Sequence, residues 1–386
     1  SDWSSDVCSS DLFDRLPGFN GEVDRLGQQR QRPHHPPSAD QRPSQSPSHQ
    51  AKQPFPPPCF QANVLPSRIN AHDNRGMNAP DETLLPRLEA QGVCTLPHLG
   101  VMAAQGPEAA LFLHNQLTND FLLLDRSHAR LAAFCNAKGR MQASMVGFKT
   151  SDDEVLLVLP KELLAQTLKR LSLFVLRAKV KLSDVSDLWA VRGHLNEPSD
   201  STHVPWTLTH DHDSWRVGLY PAAGHARALS LSPMSSASAP NETLSLEDWR
   251  LSEVLSGIAD VQQATFEAFV PQMLNYESVE GVNFKKGCYP GQEVVARSQF
   301  RGTLKRRTYL AQSASALQAG QELFHVADAS QPAGVVAQAT THPLHGHWAL
   351  VCLQVGQTEG VLYPAGGSPD TPLTLKPLPY ALRDDI

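Results

Sequence analysis

Apolar residues recur with a helical period in three segments beyond residue 80. Residues 106–117 open with Pro107 at a plausible first helical position, and apolar side chains then share one face. Residues 161–176 follow Pro160 with leucines at the same spacing, and residues 246–256 stop before Gly257. The pattern therefore predicts three helices.

Short apolar runs predict strands around these helices. They cover residues 130–135, 141–148 and 155–159, and two more lie within 179–193. The stretch 196–243 is rich in Ser, His, Asp and Pro, so we expect weak structure at its ends and one strand near 215–219. Beyond Lys305, strand-like runs at 307–311, 323–326, 335–340, 348–355 and 373–378 alternate with Gly and Pro turns. These runs predict a small closed β-barrel.

The first 80 residues show neither the helical nor the strand period of apolar residues. Pro, Gln, Ser and His dominate there, so the stretch cannot bury enough apolar surface to offset its backbone entropy and should be disordered. Met77 directly precedes the organised sequence, and the opening SDWSSDVCSSDL resembles translated adapter sequence, so we expect a native start at Met77. The alternative is a mitochondrial transit peptide, because the six arginines between residues 25 and 75 outnumber Asp40 and Asp73, although the prolines oppose an import helix. We predict a tail over 1–80, a body of two α+β subdomains over 84–300 and a barrel domain over 304–386.

Composition excludes several classes of protein. No run approaches 18 apolar residues, which predicts no membrane span, and the net charge of -6 argues against a generally basic nucleic-acid binder. The six cysteines include no C-x-x-C pair, which gives neither zinc-site spacing nor a disulfide framework. The scattered histidines favour surface positions over a metal site. A reducing compartment fits best: the cytoplasm, or the mitochondrion if the source is eukaryotic.

One segment, FKKGCYPGQEVVARSQFRGTLKRR from Phe284 to Arg307, concentrates the candidate chemistry. Gly287 and Gly291 bracket a turn, and a helix can start at Gln292, which is a usual geometry for holding an anion. Cys288 stands beside two lysines, which favours a reactive thiolate. The alternative is a buried, inert cysteine beside a solvated basic face. We call residues 285–307 the basic segment; seven of its residues are basic (285, 286, 297, 301, 305, 306 and 307) and one, Glu293, is acidic.

The motif K-K-G-C-Y-x-G-Q-E followed by A-R-x-x-F-R-G resembles the signature of the YgfZ family, whose members are similar to the aminomethyltransferase of glycine cleavage. Segments at 116–120, 135–140, 270–272 and 377–380 agree in order, together with Trp249, so the resemblance covers about residues 84 to 386. It implies an α+β, three-part aminomethyltransferase-like fold, with antiparallel sheets and helices around a central cleft and a C-terminal β-barrel.

The resemblance also implies tetrahydrofolate, or a one-carbon derivative of it, in the cleft. It implies a role in maintaining iron–sulfur enzymes, including those that thiolate tRNA. The family's loop cysteine maps onto Cys288. The candidate folate contacts are Gln116, Asp120, Trp249, Lys286, Tyr289, Gln292, Glu293 and Arg301. Asp120 would bind the pterin amino groups or cap a turn, and Trp249 would touch the ligand or be plain core.

Two departures from the family pattern matter. The related aminomethyltransferases carry an acidic pair where this chain has Ala143 and Ser144, so the transfer reaction lacks its acid–base partner. Leu99 stands where the bacterial pattern has a tryptophan, so the aromatic platform for the pterin is only half present. We therefore expect no classical aminomethyltransferase activity.

Three functions compete. The first, which we favour, is a folate-binding accessory factor, expected to act as a monomer, in which Lys286 attracts the glutamate tail and Cys288 handles a reactive species. It would contact iron–sulfur enzymes or assembly factors transiently, since one loop cysteine cannot hold a cluster alone. The second is a direct tRNA-binding module along the basic segment, which would show steep salt dependence. The third is an active one-carbon transferase, which the missing acids disfavour.

Overall fold

Three antiparallel sheets and four α-helices account for the regular structure of the computed structural model, which describes residues 85–86, 88–197, 204–235, 242–300 and 304–383. All of them lie within one compact unit, Gly76–Ile386. The predictions for the first 80 residues lie outside the described residues. The helices are α1 (Ala109–Gln116), α2 (Lys161–Ser172), α3 (Leu246–Leu255) and α4 (Gln292–Phe300).

Two five-stranded sheets form the body. Their strands are β1 (Gly92–Thr95), β2 (Leu99–Gln105), β3 (Ala129–Cys135), β4 (Met141–Ser151), β5 (Glu154–Pro160), β6 (Lys181–Asp184), β7 (Trp189–Leu195), β8 (Leu208–Asp211), β9 (Ser214–Ala222) and β10 (His225–Pro233). One sheet has the order β3-β4-β5-β2-β6 and the other the order β1-β7-β10-β9-β8. The central strands of the first sheet are apolar on both faces, which fits burial on both sides.

The third sheet curls into a half-barrel, where the sequence predicted a closed one. Its strands are β11 (Arg306–Ser313), β12 (Glu322–His325), β13 (Gly334–His342), β14 (Gly346–Gln354), β15 (Leu362–Pro364) and β16 (Thr374–Lys376), in the order β15-β12-β13-β14-β11-β16. The N–H of Leu373, beside β16, donates to the carbonyl of Leu362 in β15 at 2.8 Å, which links the two edges. Trp348 and Leu350 of this sheet join the body's apolar core, whereas Leu323, Val336 and Val351 belong to a second cluster inside the barrel.

Helix α3 contacts β13 of the barrel and β9 of the body. The Ser245 hydroxyl caps its N-terminus by accepting the N–H of Asp248 at 3.0 Å, and Gly257 ends it at a φ of +75°. A side chain at Gly257 would collide with the ring of Tyr380, which donates its hydroxyl to the Gly257 carbonyl at 2.7 Å. The helix is therefore fixed between the two parts by local sequence signals and by the chain's last residues.

Three sequence predictions need correction. The stretch 196–243 contains β8, β9 and β10 rather than a single strand, because alternate residues such as Val217 and Leu229 are buried between the polar ones that masked the pattern. Helix α1 begins at Ala109, two residues later than Pro107 suggested. Helix α2 ends at Ser172, whose hydroxyl donates back to the Leu168 carbonyl at 2.7 Å, and leaves Leu173 exposed.

Candidate functional site

A cleft of about 630 Å³, its open mouth included, lies between the two body sheets and α3. We call it the inner chamber. Its walls are mostly apolar and aromatic, as small-molecule sites usually are. The lining residues are Leu99, Leu131, Val146, Val158, Leu159, Pro160, Trp206, Leu219, Tyr220, Arg227, Leu229, Trp249, Glu253, Ser256, Ile258 and Asp260.

Arg227 and Trp249 form a stacked pair in the wall of this chamber. The guanidinium carbon of Arg227 lies 4.6 Å from the centroid of the Trp249 ring, and its Nε donates to the Ser252 hydroxyl at 2.9 Å. Burial lowers the pKa of Arg227 to about 10, a change opposed by the carboxylates of Glu253 and Asp260. At neutral pH the chamber therefore presents a fixed cation beside an aromatic face.

Glu253 is the first of two carboxylates that face this cation. Its Oε1 accepts the indole N–H of Trp249 at 2.8 Å and lies 3.2 Å from Nε2 of His98. The other ring nitrogen of His98, Nδ1, is buried and has no hydrogen-bond partner among the described residues. A buried polar atom without a partner is unfavourable in water-free surroundings, so a ligand atom at this position would be stabilised.

Asp260 is the second carboxylate, and two elements hold it. The Ser144 hydroxyl of β4 donates to its Oδ1 at 3.0 Å, and its own N–H donates to Oε1 of Gln338 in the barrel at 2.9 Å. Burial, reinforced by the neighbouring Glu253, raises the pKa of Asp260 to about 6. The structure thus places the Asp260 carboxyl against Ser144 of β4.

A wider and more polar space adjoins the inner chamber. This outer chamber measures about 1390 Å³ including its open mouth, and it shares Leu99, Pro160, Glu253 and Asp260 with the inner one. Lys161 and Arg250 bring positive charge to it. The barrel completes its wall. The remaining lining residues are His98, Glu162, Glu247, Gln262, Leu317, Gln338, Ala339, Thr340 and Thr341.

The loop that carries Cys288 lies elsewhere. We call residues 285–291 the cysteine loop; Cys288 is exposed, whereas Lys286 and Tyr289 are buried. The Lys286 ammonium donates to the carbonyls of His114 and Leu117, the latter at 3.0 Å, and lies 4.5 Å from the centroid of the Tyr289 ring.

The buried ammonium of Lys286 acts as a cap on the C-terminal end of α1. Burial lowers the pKa of Lys286 to about 8, against the influence of Asp120 and Cys288. No residue of the cysteine loop is among those that line the inner or the outer chamber. Lys286 was expected to attract a glutamate tail, and the structure instead engages its ammonium with the protein's own backbone.

Asp120 and Gln116 lie at the end of α1, beside the cysteine loop. Asp120 Oδ1 accepts the N–H groups of Leu122 and Leu123 at 2.9 and 3.0 Å and lies 3.1 Å from Nδ1 of His114. Burial opposes ionisation of Asp120, but the Leu123 N–H and the His114 ring outweigh it and lower the pKa of that carboxyl. This is the turn-capping geometry that the sequence offered as the second alternative for Asp120. Gln116 carries a buried Oε1 with no partner among the described residues.

The basic segment is only partly a charged surface. The buried Arg307 donates to Glu277 at 2.8 Å, and the exposed Arg297 pairs with Glu293 one helical turn away at 2.5 Å. Gln292 starts α4, where its Nε2 reaches the Lys286 carbonyl at 3.5 Å. Arg301 lies outside the described residues. Because Lys286 and Arg307 are both occupied inside the protein, fewer cations remain for a nucleic-acid backbone than the seven counted in the sequence.

The structure thus divides the sequence-predicted residues into two groups. Trp249 lies in the chamber wall, whereas Cys288, Lys286, Tyr289, Gln292, Glu293, Asp120 and Gln116 gather around the cysteine loop and the end of α1. Sequence reasoning missed the charged residues of the chamber, Arg227, Glu253 and Asp260. Each is isolated in the sequence and is brought to the cleft by a different element. Two sequence features could have indicated them. Arg227 is a charged residue in a strand-like run, and Asp260 is an acid shortly after the end of α3.

Two further observations concern the described residues. No three His, Cys, Asp or Glu side chains among them gather closely enough to hold a metal ion. None of the helices in this part of the chain is both long and apolar enough to cross a membrane.

A scan against protein-family models found none that matches this sequence. Among curated proteins, the tRNA-modifying protein YgfZ of Photorhabdus laumondii is 27% identical over 307 residues, which are 75% of this chain and 93% of that protein. The tRNA-modifying protein YgfZ of Pectobacterium atrosepticum is 26% identical over 336 residues, 82% of this chain and 100% of that protein. The chain is related to the YgfZ proteins. This confirms the resemblance found in the loop motif.

Among solved structures, the glycine cleavage system aminomethyltransferase T of Bartonella henselae matches with a TM-score of 0.54 and 15% identity, over 76% of this chain and 86% of that one. The match confirms the aminomethyltransferase-like α+β fold predicted for a YgfZ relative. At this identity the likeness concerns the fold alone.

Proposed function

We propose that the chain binds a reduced folate in the two chambers and supports tRNA modification as an accessory factor of cytoplasmic iron–sulfur enzymes. The single observation that carries the folate part is the inner chamber, where an aromatic face, a guanidinium and two carboxylates meet in a mostly apolar cleft. A pterin ring offers a flat π-surface with hydrogen-bond donors and acceptors along its edges, which these groups complement.

The two chambers also suit the two halves of a folate. Trp249, Arg227 and Glu253 would hold the ring in the inner chamber. Lys161 and Arg250 would meet the negatively charged glutamate tail in the outer chamber, in place of Lys286. When bound, such a cofactor supplies the capacity to carry a one-carbon unit on its nitrogens.

The link to tRNA rests on the relatives, which carry tRNA-modifying protein YgfZ as their name. We propose that the effect is indirect and passes through iron–sulfur enzymes that the exposed Cys288 contacts transiently. Direct tRNA binding is less well supported, because Lys286 and Arg307 are occupied inside the protein.

Isothermal titration with tetrahydrofolate tests the folate part. Leu219→Trp adds bulk to the inner chamber from a half-buried position on β9, and we expect affinity to fall by at least about tenfold, which is about 1.4 kcal/mol. Leu344→Trp is the matched control, since Leu344 is 86% exposed on the barrel and should leave affinity unchanged. Equal affinity in both variants would mean that the folate does not occupy the inner chamber.

Complementation tests the cysteine. In a bacterium that lacks its own YgfZ gene, we expect Cys288→Ser to bind tetrahydrofolate normally and yet fail to restore thiolated tRNA. Leu219→Trp should fail in both assays. Full restoration by Cys288→Ser would remove the thiol from the proposed function.

A further inference from the structure

The junction between the two chambers is formed by four residues, Leu99, Pro160, Glu253 and Asp260, which line both spaces. The inner chamber is lined mainly by apolar and aromatic side chains, and the outer one carries several charged residues. A ligand with a flat bicyclic ring and an extended anionic tail would therefore place its linking atoms between these residues. In a folate, ring nitrogen N5 is next to the carbon that bears the linker, so it belongs to the part of the ligand at the junction.

The two carboxylates at the junction differ in their hydrogen-bond donors, and each has one oxygen to which no described residue hydrogen-bonds. Glu253 accepts the Trp249 indole N–H and contacts His98 through Oε1. Asp260 accepts the Ser144 hydroxyl through Oδ1, and among the described residues none hydrogen-bonds to its Oδ2. Asp260 therefore has one oxygen available for a ligand.

The direction of the proton on Ser144 is also fixed. The N–H of Val261 donates to the Ser144 oxygen at 2.9 Å, so that oxygen acts as an acceptor on one side and turns its own hydrogen toward Asp260 Oδ1. A proton bound by the Asp260 carboxyl is accordingly directed to Oδ2. The N–H bond from Asp260 to Gln338 holds the backbone and keeps the carboxyl in place.

Charged and titratable groups face Asp260 from each packed element. Glu253 of α3, Arg227 of β10 and His98 before β2 influence its ionisation, and burial, reinforced by Asp260, in turn raises the pKa of Tyr276. Those of the outer chamber are Lys161, Glu162, Glu247 and Arg250. Among the described acids of the two chambers, Asp260 alone combines a free carboxyl oxygen with a position at the junction and a hydroxyl donor on its other oxygen.

We propose that Asp260 determines which oxidation state of the ring this cleft accepts, by accepting a hydrogen bond from the ring N–H of a reduced pterin through Oδ2. The inference rests on the proposed folate function and deepens it. In a tetrahydropterin N5 carries a hydrogen and is a donor, whereas in the fully oxidised ring N5 has only a lone pair. The ionised carboxylate therefore accepts a hydrogen bond from N5–H of the reduced ring and repels the N5 lone pair of the oxidised ring. The protonated acid does not distinguish the two rings in this way.

The test compares the affinities for tetrahydrofolate and folic acid between pH 5 and pH 8, under anaerobic conditions and on the full chain. Asp260 ionises as the pH rises, so we expect the ratio of the two dissociation constants to favour tetrahydrofolate by about tenfold more at pH 8 than at pH 5. In Asp260→Asn, which cannot ionise, the added pH dependence of the ratio should vanish. Asp152→Asn, an exposed acid outside both chambers, is the matched control and should behave like the unmodified chain.

The ligands' own ionisations are the same for every variant, so the difference between Asp260→Asn and the unmodified chain isolates the residue. Ser144→Ala keeps the carboxyl but removes a hydrogen bond that favours its ionised form, so the pH midpoint should move upward. This variant also covers the case in which Asp260→Asn does not fold. An unchanged pH profile in Asp260→Asn, or an unmoved midpoint in Ser144→Ala, overturns the inference and leaves folate binding intact. Failure of both folates to bind the unmodified chain overturns the proposed function and this inference together.

Discussion

Replacing Asp260 by Asn should make the folded protein more stable at pH 8, although the substitution removes a charge from a polar cleft. The folded state holds the proton of Asp260 more tightly than the unfolded chain does, since its pKa is raised from 3.8 to about 6. The penalty for the ionised carboxylate is therefore absent below pH 4, grows between pH 4 and pH 6, and is complete above pH 6. Asparagine has nearly the same shape and carries no charge at any pH.

The size of the effect follows from that shift. A difference of about two pKa units at about 1.4 kcal/mol each gives a gain of roughly 3 kcal/mol for Asp260→Asn at pH 8. For a folded unit of this size it would raise the melting temperature by about 5 °C. At pH 4 the two proteins should be about equally stable.

Urea unfolding at pH 4 and pH 8, followed by circular dichroism, measures both differences. Asp152→Asn is the control, because Asp152 is exposed and should change stability little at either pH. If Asp260→Asn were less stable than the unmodified chain at pH 8, or if its gain were the same at both pH values, the carboxylate would not be destabilised by its surroundings. The reasoning about the cleft's electrostatics would then be wrong.

Three further predictions concern the cysteine loop, the thiols and the chamber junction. Gly291→Ala should destabilise the protein by about 2 kcal/mol or more, because a Cβ there would lie 2.4 Å from the Asn136 carbonyl oxygen at a φ of +82°. Thermal melting measures the loss, and Gly356→Ala is the control, since a Cβ at Gly356 meets no atom within 4 Å. Among the described cysteines, iodoacetamide should modify Cys288 in the folded protein and leave Cys94, Cys135 and Cys352 unmodified until urea is added. The reason is that these three are buried, and burial raises the pKa of Cys94 and Cys352 to about 12. Peptide mass mapping checks this, and labelling of Cys352 before urea is added would contradict it. Leu99→Trp adds a second aromatic face at the junction and should tighten tetrahydrofolate binding by about fivefold, or about 1 kcal/mol, in isothermal titration. Unchanged affinity would mean that the ring does not lie against residue 99.

Local patterns in the sequence predicted local structure well. Gly257 ends α3 as expected, and the glycines of the loop motif permit the close approach of Gly291 to the turn at Asn136. The motif also predicted that a helix can start at Gln292, and α4 does begin there. It left a reactive and a buried Cys288 as alternatives, and the structure exposes the residue. These features depend on neighbours in the sequence, so a short motif contains the information that they need.

The cleft could not be predicted in the same way. Arg227, Glu253 and Asp260 come from a strand, a helix and the segment after it, and no spacing rule relates them. In the sequence Arg227 lies in a stretch interpreted as weakly structured at its ends, and only the pairing of β10 with β7 and β9 turns it inward. Likewise, a motif can indicate that a lysine matters without indicating its partner. Lys286 was assigned to a ligand, whereas its ammonium holds the end of α1.

The contribution of the barrel to the outer chamber has a consequence for biosynthesis. Leu317 and residues 338–341 complete a wall whose other side comes from residues 98 to 262. The ribosome synthesises the chain from its N-terminus, so residues 98–262 emerge before β13. The outer chamber therefore lacks one wall until β13 has been made. Loading with a small molecule should therefore follow translation of the last third of the chain, and nascent chains that stall before residue 338 should be unable to retain it.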